Sequence, residues 1–222
     1  MSNTSGLREF SRQAVRSRIA EVAEELFVAQ GFEATTVDEI AGTVGMSQRT
    51  FFRYFASKED AALDGFERLS GDFIARLTGR PLPETEWDSL RRAFDVMVEQ
   101  VEDPERRRHT RAMHRIAGSS PTLLAAYLQR ADHMQRRLVE VLVARAEERG
   151  ERTDELVLRA VVGSAFACLQ AVMSRESGTE DCAEDGTGDG AGDGTEGDPG
   201  GGAELGALLD TVMAAVRPVR HT

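Results

Sequence analysis

Three consecutive residues, Gln48, Arg49 and Thr50, carry side chains suited to the edges of DNA bases. A guanidinium can take guanine O6 and N7, a side-chain amide can take adenine N6 and N7, and a threonine methyl can pack on thymine. Each good bidentate pair is worth about 1–3 kcal/mol of discrimination. Tyr54 and Lys58, a little further on, add a hydroxyl and an ammonium suited to phosphate oxygens. An isolated Gln-Arg-Thr is far more often a solvated helical turn, so the weight rests on the elements that position it.

Those elements are legible. Thr36 and Glu39 have the T-x-x-E spacing of a capping box, opening a helix that carries Val37, Ile40 and Ala41 inward. Gly45 can take a positive φ just after it. Ser47 caps a second helix, Gln48 to Tyr54, and Ser57 with Asp60 caps a third. Two short helices joined by a tight turn form a helix-turn-helix, whose second helix enters the major groove. Thr36 and Ser47, at helix N-termini, join the expected DNA contacts. So does Arg16, from the basic group Arg8, Arg12, Arg16 and Arg18; for the other three a solvated face and a backbone-tracking arm stay equally open.

The formal charge of −11 argues at first against a nucleic-acid partner. Nine acidic residues and no basic ones fall within 176–203, which leaves −2 for the rest. Phosphate binding needs a local positive face, not a positive protein. Cys168 and Cys182 lie in dissimilar surroundings, so a structural disulfide is not expected and a reducing cytoplasm fits. No apolar stretch reaches about 18 residues without charge, so no membrane span is expected. Residues 1–15 lack the apolar core of a signal peptide.

Nearly everything else has helical periodicity, giving an all-α fold. The first helix runs from Phe10 to Gln30, with Ile19, Val22, Ala23, Leu26 and Phe27 on one face, and Gly31 stops it. A helix from Lys58 to Leu77 leaves the helix-turn-helix, and Gly79-Arg80-Pro81 marks a joint. Helices follow at Trp87–Val101, Glu105–Ala117, Thr122–Arg149, Thr153–Ser174 and Glu204–Val216. The expected organisation is a head at 1–57, a connecting helix at 58–78 and a body at 79–222. The Gly/Asp-rich segment 176–203 within the body has too little apolar content for a core and reads as a disordered loop.

The helix Thr153–Ser174 is apolar almost all round and needs burial on every side. One face can serve its own core and the other a second subunit. Val161, Ala165, Leu205, Leu208 and Val212 are the expected dimer contacts. Phe94, Met97, Met113, Tyr127 and Phe166 are either ordinary core or the walls of an effector site. His109 and His114 do not share a helical face, and Asp185, Asp189 and Asp193 lack calcium-loop spacing, so no metal is expected. Nucleotide-binding glycines, zinc spacing and a nucleophile elbow are missing, so neither an enzyme nor a cofactor is expected.

Arg16 through Leu63 resembles the DNA-binding head of the TetR (tetracycline-repressor) family. The matching residues include Arg16, Ile19, Ala23, Phe27, Gly31-Phe32, Thr35-Thr36-Val37, Ile40-Ala41, Gly45, Ser47, Thr50, Tyr54-Phe55 and Ser57-Lys58. The resemblance implies an all-α homodimer that binds a near-palindromic operator and is released by a small molecule held in the body. One departure is Phe52, where the family commonly has a tyrosine that touches phosphate; Phe52 cannot make that bond. Arg108-His109-Thr110-Arg111, Ser120-Pro121-Thr122-Leu123 and Ala126-Tyr127-Leu128 resemble the MftR-like, acyl-CoA-like ligand-binding class. That implies a largely apolar effector, a fatty acid or acyl-CoA. The rival is a helical small-molecule-binding protein or enzyme whose head no longer binds DNA.

Overall fold

The computed structural model of the protein describes residues 3–103, 116, 118, 120–184 and 201–218. Every regular element among them is a helix: α1 (Asn3–Gln30), α2 (Val37–Val44), α3 (Gln48–Phe51), α4 (Lys58–Ala62), α5 (Asp64–Thr78), α6 (Glu86–Ala93), α7 (Asp95–Glu102), α8 (Pro121–Glu148), α9 (Glu155–Glu184) and α10 (Gly201–Ala215). The all-α expectation holds. Packing divides the chain into two compact units, 1–70 with 108–131 and 71–107 with 132–222. The connecting helix expected at 58–78 is thus shared between them, and it is not continuous: α4 ends at Leu63 (φ −98°, ψ 13°) before α5 begins. The expected loop at 176–203 is helical at both ends, through Glu184 and from Gly201, and 185–200 lie outside the described residues. The expected helix Glu105–Ala117 lies outside them apart from Ile116.

In the first unit, α1, α2, α3 and α4 converge on a core of Ile19, Ala23, Phe27, Phe32, Ile40, Phe51 and Phe55. Local chemistry sets the turns. Gly31 (φ 89°) and Gly45 (φ 81°) take left-handed backbone, which any side chain would strain, and let α1 and α2 stop abruptly. The start of α8 belongs to this unit as well: Leu123 joins the core, with Ala126 and Tyr127 packed against it. The Ser120 hydroxyl caps α8 by accepting from the Leu123 amide at 3.2 Å and donates to Glu33 at 2.5 Å.

The second unit is built around Phe94, which is fully buried with its ring edge-on to Phe73 (5.5 Å) and Phe166 (5.1 Å). Helix α10 is held by two polar anchors. Trp87 Nε1 donates to the Met213 carbonyl at 3.1 Å. The buried Arg91 donates to Asp210 and Asp95, each at 2.6 Å, and to the Gly206 carbonyl at 3.1 Å. Helix α9 meets the length and composition of a membrane span over Glu155–Ser174. Its buried face instead supplies Leu158, Val162, Ala165, Phe166, Leu169 and Val172 to the core.

Two expected dimer residues need correction. Ala165 and Leu205 are both 0 % exposed within the chain's own core, because the contact between α9 and α10 consumes those faces. Val161, Leu208 and Val212 remain partly exposed. Among the large apolar side chains of α9, Leu156 is 72 % exposed and Val157 54 % exposed.

Candidate nucleic-acid interface

The helix-turn-helix is fixed by its caps. Thr36 Oγ1 accepts from the Glu39 amide at 3.2 Å, while Glu39 Oε2 accepts from the Thr36 amide at 2.8 Å and hydroxyl at 2.9 Å. These bonds, the backbone N–H first, hold the Glu39 carboxyl below the ordinary glutamate value. Ser47 takes an extended backbone (φ −80°, ψ 154°) and caps α3 by accepting from the Thr50 amide at 3.2 Å. Its hydroxyl also lies 2.9 Å from Thr50 Oγ1. Both donors of Thr36 are therefore spent within the protein. A phosphate at this helix start would meet backbone amides of α2 rather than the Thr36 hydroxyl proton.

Helix α3 is a single turn. The backbone continues in turns through Tyr54, and Phe52 keeps helical angles (φ −66°, ψ −3°). Gln48, Arg49, Phe52 and Arg53 are exposed, Thr50 and Tyr54 are half-buried, and Phe51 is buried. Spacings of one, four and five residues put the four exposed side chains on one surface. Among the described residues, Arg49 and Arg53 have no hydrogen-bond or ion-pair partner, so both guanidinium groups are available to an outside anion. Arg53 was not among the DNA contacts expected from the sequence; its four-residue spacing from Arg49 was the available signal.

Arg16 and Lys58, expected at the DNA, are half-buried and bonded within the protein. Arg16 Nε donates to Asp64 Oδ1 and Nη1 to the Tyr54 carbonyl, both at 2.6 Å, and the guanidinium lies 4.2 Å from the Phe55 ring centroid. Asp64 is only 2 % exposed. Its second oxygen lies 3.2 Å from Arg68 Nη1, close enough for an ion pair but not aligned as a hydrogen bond. Lys58 Nζ donates to the carbonyls of Phe32 (2.8 Å) and Thr35 (3.2 Å) and stands 4.3 Å from the Phe32 ring centroid. In both cases backbone carbonyls and a ring face lie within reach of the cation, with a buried carboxylate added for Arg16.

Helix α8 also reaches this frame. Arg130 pairs with Asp60 and, through Nε at 2.9 Å, with Glu67. Asp60 in turn accepts from the Ala56 amide at 3.1 Å, on the segment that leaves the recognition turn. No sequence signal tied Arg130 to this carboxylate, because the pairing spans 70 residues.

The residues considered for an effector separate. Phe94, Met97 and Phe166 are buried in the second unit. Tyr127 belongs to the first, with its ring edge-on to Phe66 at 5.1 Å and its phenol pKa pushed up by burial. Met113, Arg108 and Arg111 lie outside the described residues, as do His109 and His114.

Residues 19–76 match the family model described as bacterial regulatory proteins, tetR family. The HTH-type transcriptional regulator TcmR of Streptomyces glaucescens is 37 % identical over 178 residues, covering 78 % of this chain and 77 % of that protein. Among solved structures, a tetR-family regulator from Mesorhizobium loti aligns with a TM-score of 0.57 at 16 % identity, over 92 % of this chain and 95 % of its own. The SmeT–triclosan complex, SmeT being the repressor of a multidrug efflux pump of Stenotrophomonas maltophilia, aligns with a TM-score of 0.58 at 19 % identity over 91 % of each chain. At those identities the two structures speak to the fold alone.

Proposed function

Because this chain belongs to the tetR family of bacterial regulatory proteins, we propose that it is a homodimeric cytoplasmic repressor that binds a near-palindromic operator and leaves it when a small effector binds. The observation that carries the operator reading is the contrast within the head. Arg49 and Arg53 are exposed beside Gln48 and have no partner among the described residues, whereas the nearby cations Arg16 and Lys58 are bonded within the protein. Gln48, Arg49 and Thr50 take the base edges, and Arg53 and Tyr54 take phosphates. Arg16, Thr36, Ser47 and Lys58 hold the frame that presents them. Two such heads, related by a two-fold axis, match a two-fold operator. The exposed start of α9, with Leu156 and Val157, supports a subunit contact there, joined by Val161, Leu208 and Val212.

The effector in this reading is largely apolar, with a fatty-acyl chain or acyl-CoA as the first candidate. Support comes from the aromatic and methionine side chains Phe94, Met97 and Phe166, all buried in the second unit. An effector that prefers one conformation of the body shifts the population away from the DNA-competent form. Selection of bound sequences from random DNA by purified protein tests the operator reading, and recovery of one symmetric sequence is expected. Operator-release and thermal-shift screens with fatty acids, acyl-CoAs and flat cationic drugs test the effector. Release only by small hydrophilic metabolites would contradict an apolar one.

A further inference from the structure

An apolar ring stands in the middle of the polar face that the regulator reading assigns to DNA. Phe52 is 49 % exposed, and its neighbours on that surface are Gln48, Arg49 and Arg53. It is not a stray side chain at a frayed end. Its amide donates to the Gln48 carbonyl at 3.1 Å where it closes α3, and its ring is braced edge-on against the buried Phe51, with centroids 5.5 Å apart at 87°. The partner ring is itself packed on Phe55 at 5.7 Å within the core. Such bracing fixes the ring before binding, so little side-chain freedom remains to be lost.

A phenyl ring offers no hydrogen bond to a phosphate or a base edge. The major groove has one apolar group for it to meet, the C5 methyl of thymine. We propose that Phe52 packs against a thymine methyl in each half-site and so selects thymine at that position. Gln48 lies one helical turn before Phe52 on the same surface, which places the methyl reader next to a side chain suited to adenine. The inference rests on the operator reading, but it is a separate claim about which atoms carry one base preference.

The test uses the full-length protein and the operator obtained by selection, with deoxyuridine replacing thymidine one position at a time in both half-sites. Uracil keeps every hydrogen-bonding group of thymine and lacks only the methyl. For the wild-type protein, one symmetric position should stand out, with affinity falling about fourfold for each methyl removed. Phe52→Ala should bind the thymine operator more weakly and be indifferent to uracil at that position. Phe52→Tyr, which keeps the ring, should retain the methyl dependence. Phe52→Leu provides a second truncation if the alanine variant melts early. Equal wild-type affinity for all uracil-substituted operators would overturn the proposal. So would an undiminished methyl effect in Phe52→Ala and Phe52→Leu, which would leave the ring packed on the sugar backbone. Failure to select any sequence at all would instead strike the operator reading on which the proposal stands.

Discussion

Arg16 and Asp64 form the tightest tie between α1 and the start of α5, with Nε 2.6 Å from a carboxylate oxygen of a residue only 2 % exposed. The same guanidinium holds the Tyr54 carbonyl at 2.6 Å, so one side chain links α1, the recognition turn and α5. Removing Arg16 strands a buried carboxylate. Arg16→Ala leaves the Asp64 carboxylate with only its misaligned contact to Arg68, and should destabilise the head by about 3 kcal/mol. Urea unfolding measures the loss. Operator affinity should fall along with it, because the Tyr54 end of the recognition turn loses its anchor.

Lys58 gives a sharper separation of roles. Its ammonium is bonded to two carbonyls of the α1–α2 turn, so Lys58→Ala should lower stability and weaken all DNA sequences alike while leaving the salt dependence of binding nearly unchanged. Arg53→Ala, by contrast, removes a free cation and should reduce the slope of log affinity against log salt by about one. Binding isotherms at several salt concentrations distinguish the two. A unit change in slope for Lys58→Ala would restore the phosphate contact that the sequence alone suggests.

The capping box predicts a pH effect of defined sign. Hydrogen bonds from Thr36, the amide first, lower the Glu39 pKa in the folded state. A depressed carboxyl pKa contributes stability that is present above the unfolded-state value and is lost as pH falls through the folded-state value. Glu39→Gln should therefore be less stable than wild type near neutrality, with the gap closing in the acid range. NMR titration of the Glu39 side chain should show a midpoint below the ordinary glutamate value, shifted back upward by Thr36→Val.

The subunit contact can be separated from the core by where a charge is placed. Ala165→Arg buries an unpaired guanidinium inside the second unit and should unfold it or send the protein into aggregates. Val157→Arg adds a charge on an exposed apolar position and should yield a folded monomer, read by sedimentation together with circular dichroism. A folded dimer from Val157→Arg would move the contact away from the start of α9.

Much of the head was legible because its determinants are local. The capping box of Thr36 with Glu39, the left-handed Gly45 and the caps Ser47 and Ser57 each depend on residues three or four apart, and each forms as its spacing dictates. The partners of Arg16 and Lys58 were not legible, because a long cationic side chain at a helix surface is equally consistent with a phosphate outside or a carbonyl within. Which one it meets is decided by contacts 23 to 48 residues away in the chain. The same limit applied to α9. A helix apolar all round announces burial on every side, but not which face meets its own core, and Ala165 proved to be on the inner one.

If the exposed face of α3 reads an operator, the difference is seen most directly between the sequences selected from random DNA by wild-type protein and by Arg49→Ala. The wild-type protein should enrich one near-palindromic sequence, and the variant should lose its preference at one symmetric pair of positions while keeping the rest. Identical enriched sequences from both proteins, or no enrichment from the wild type, would mean that this face does not read DNA.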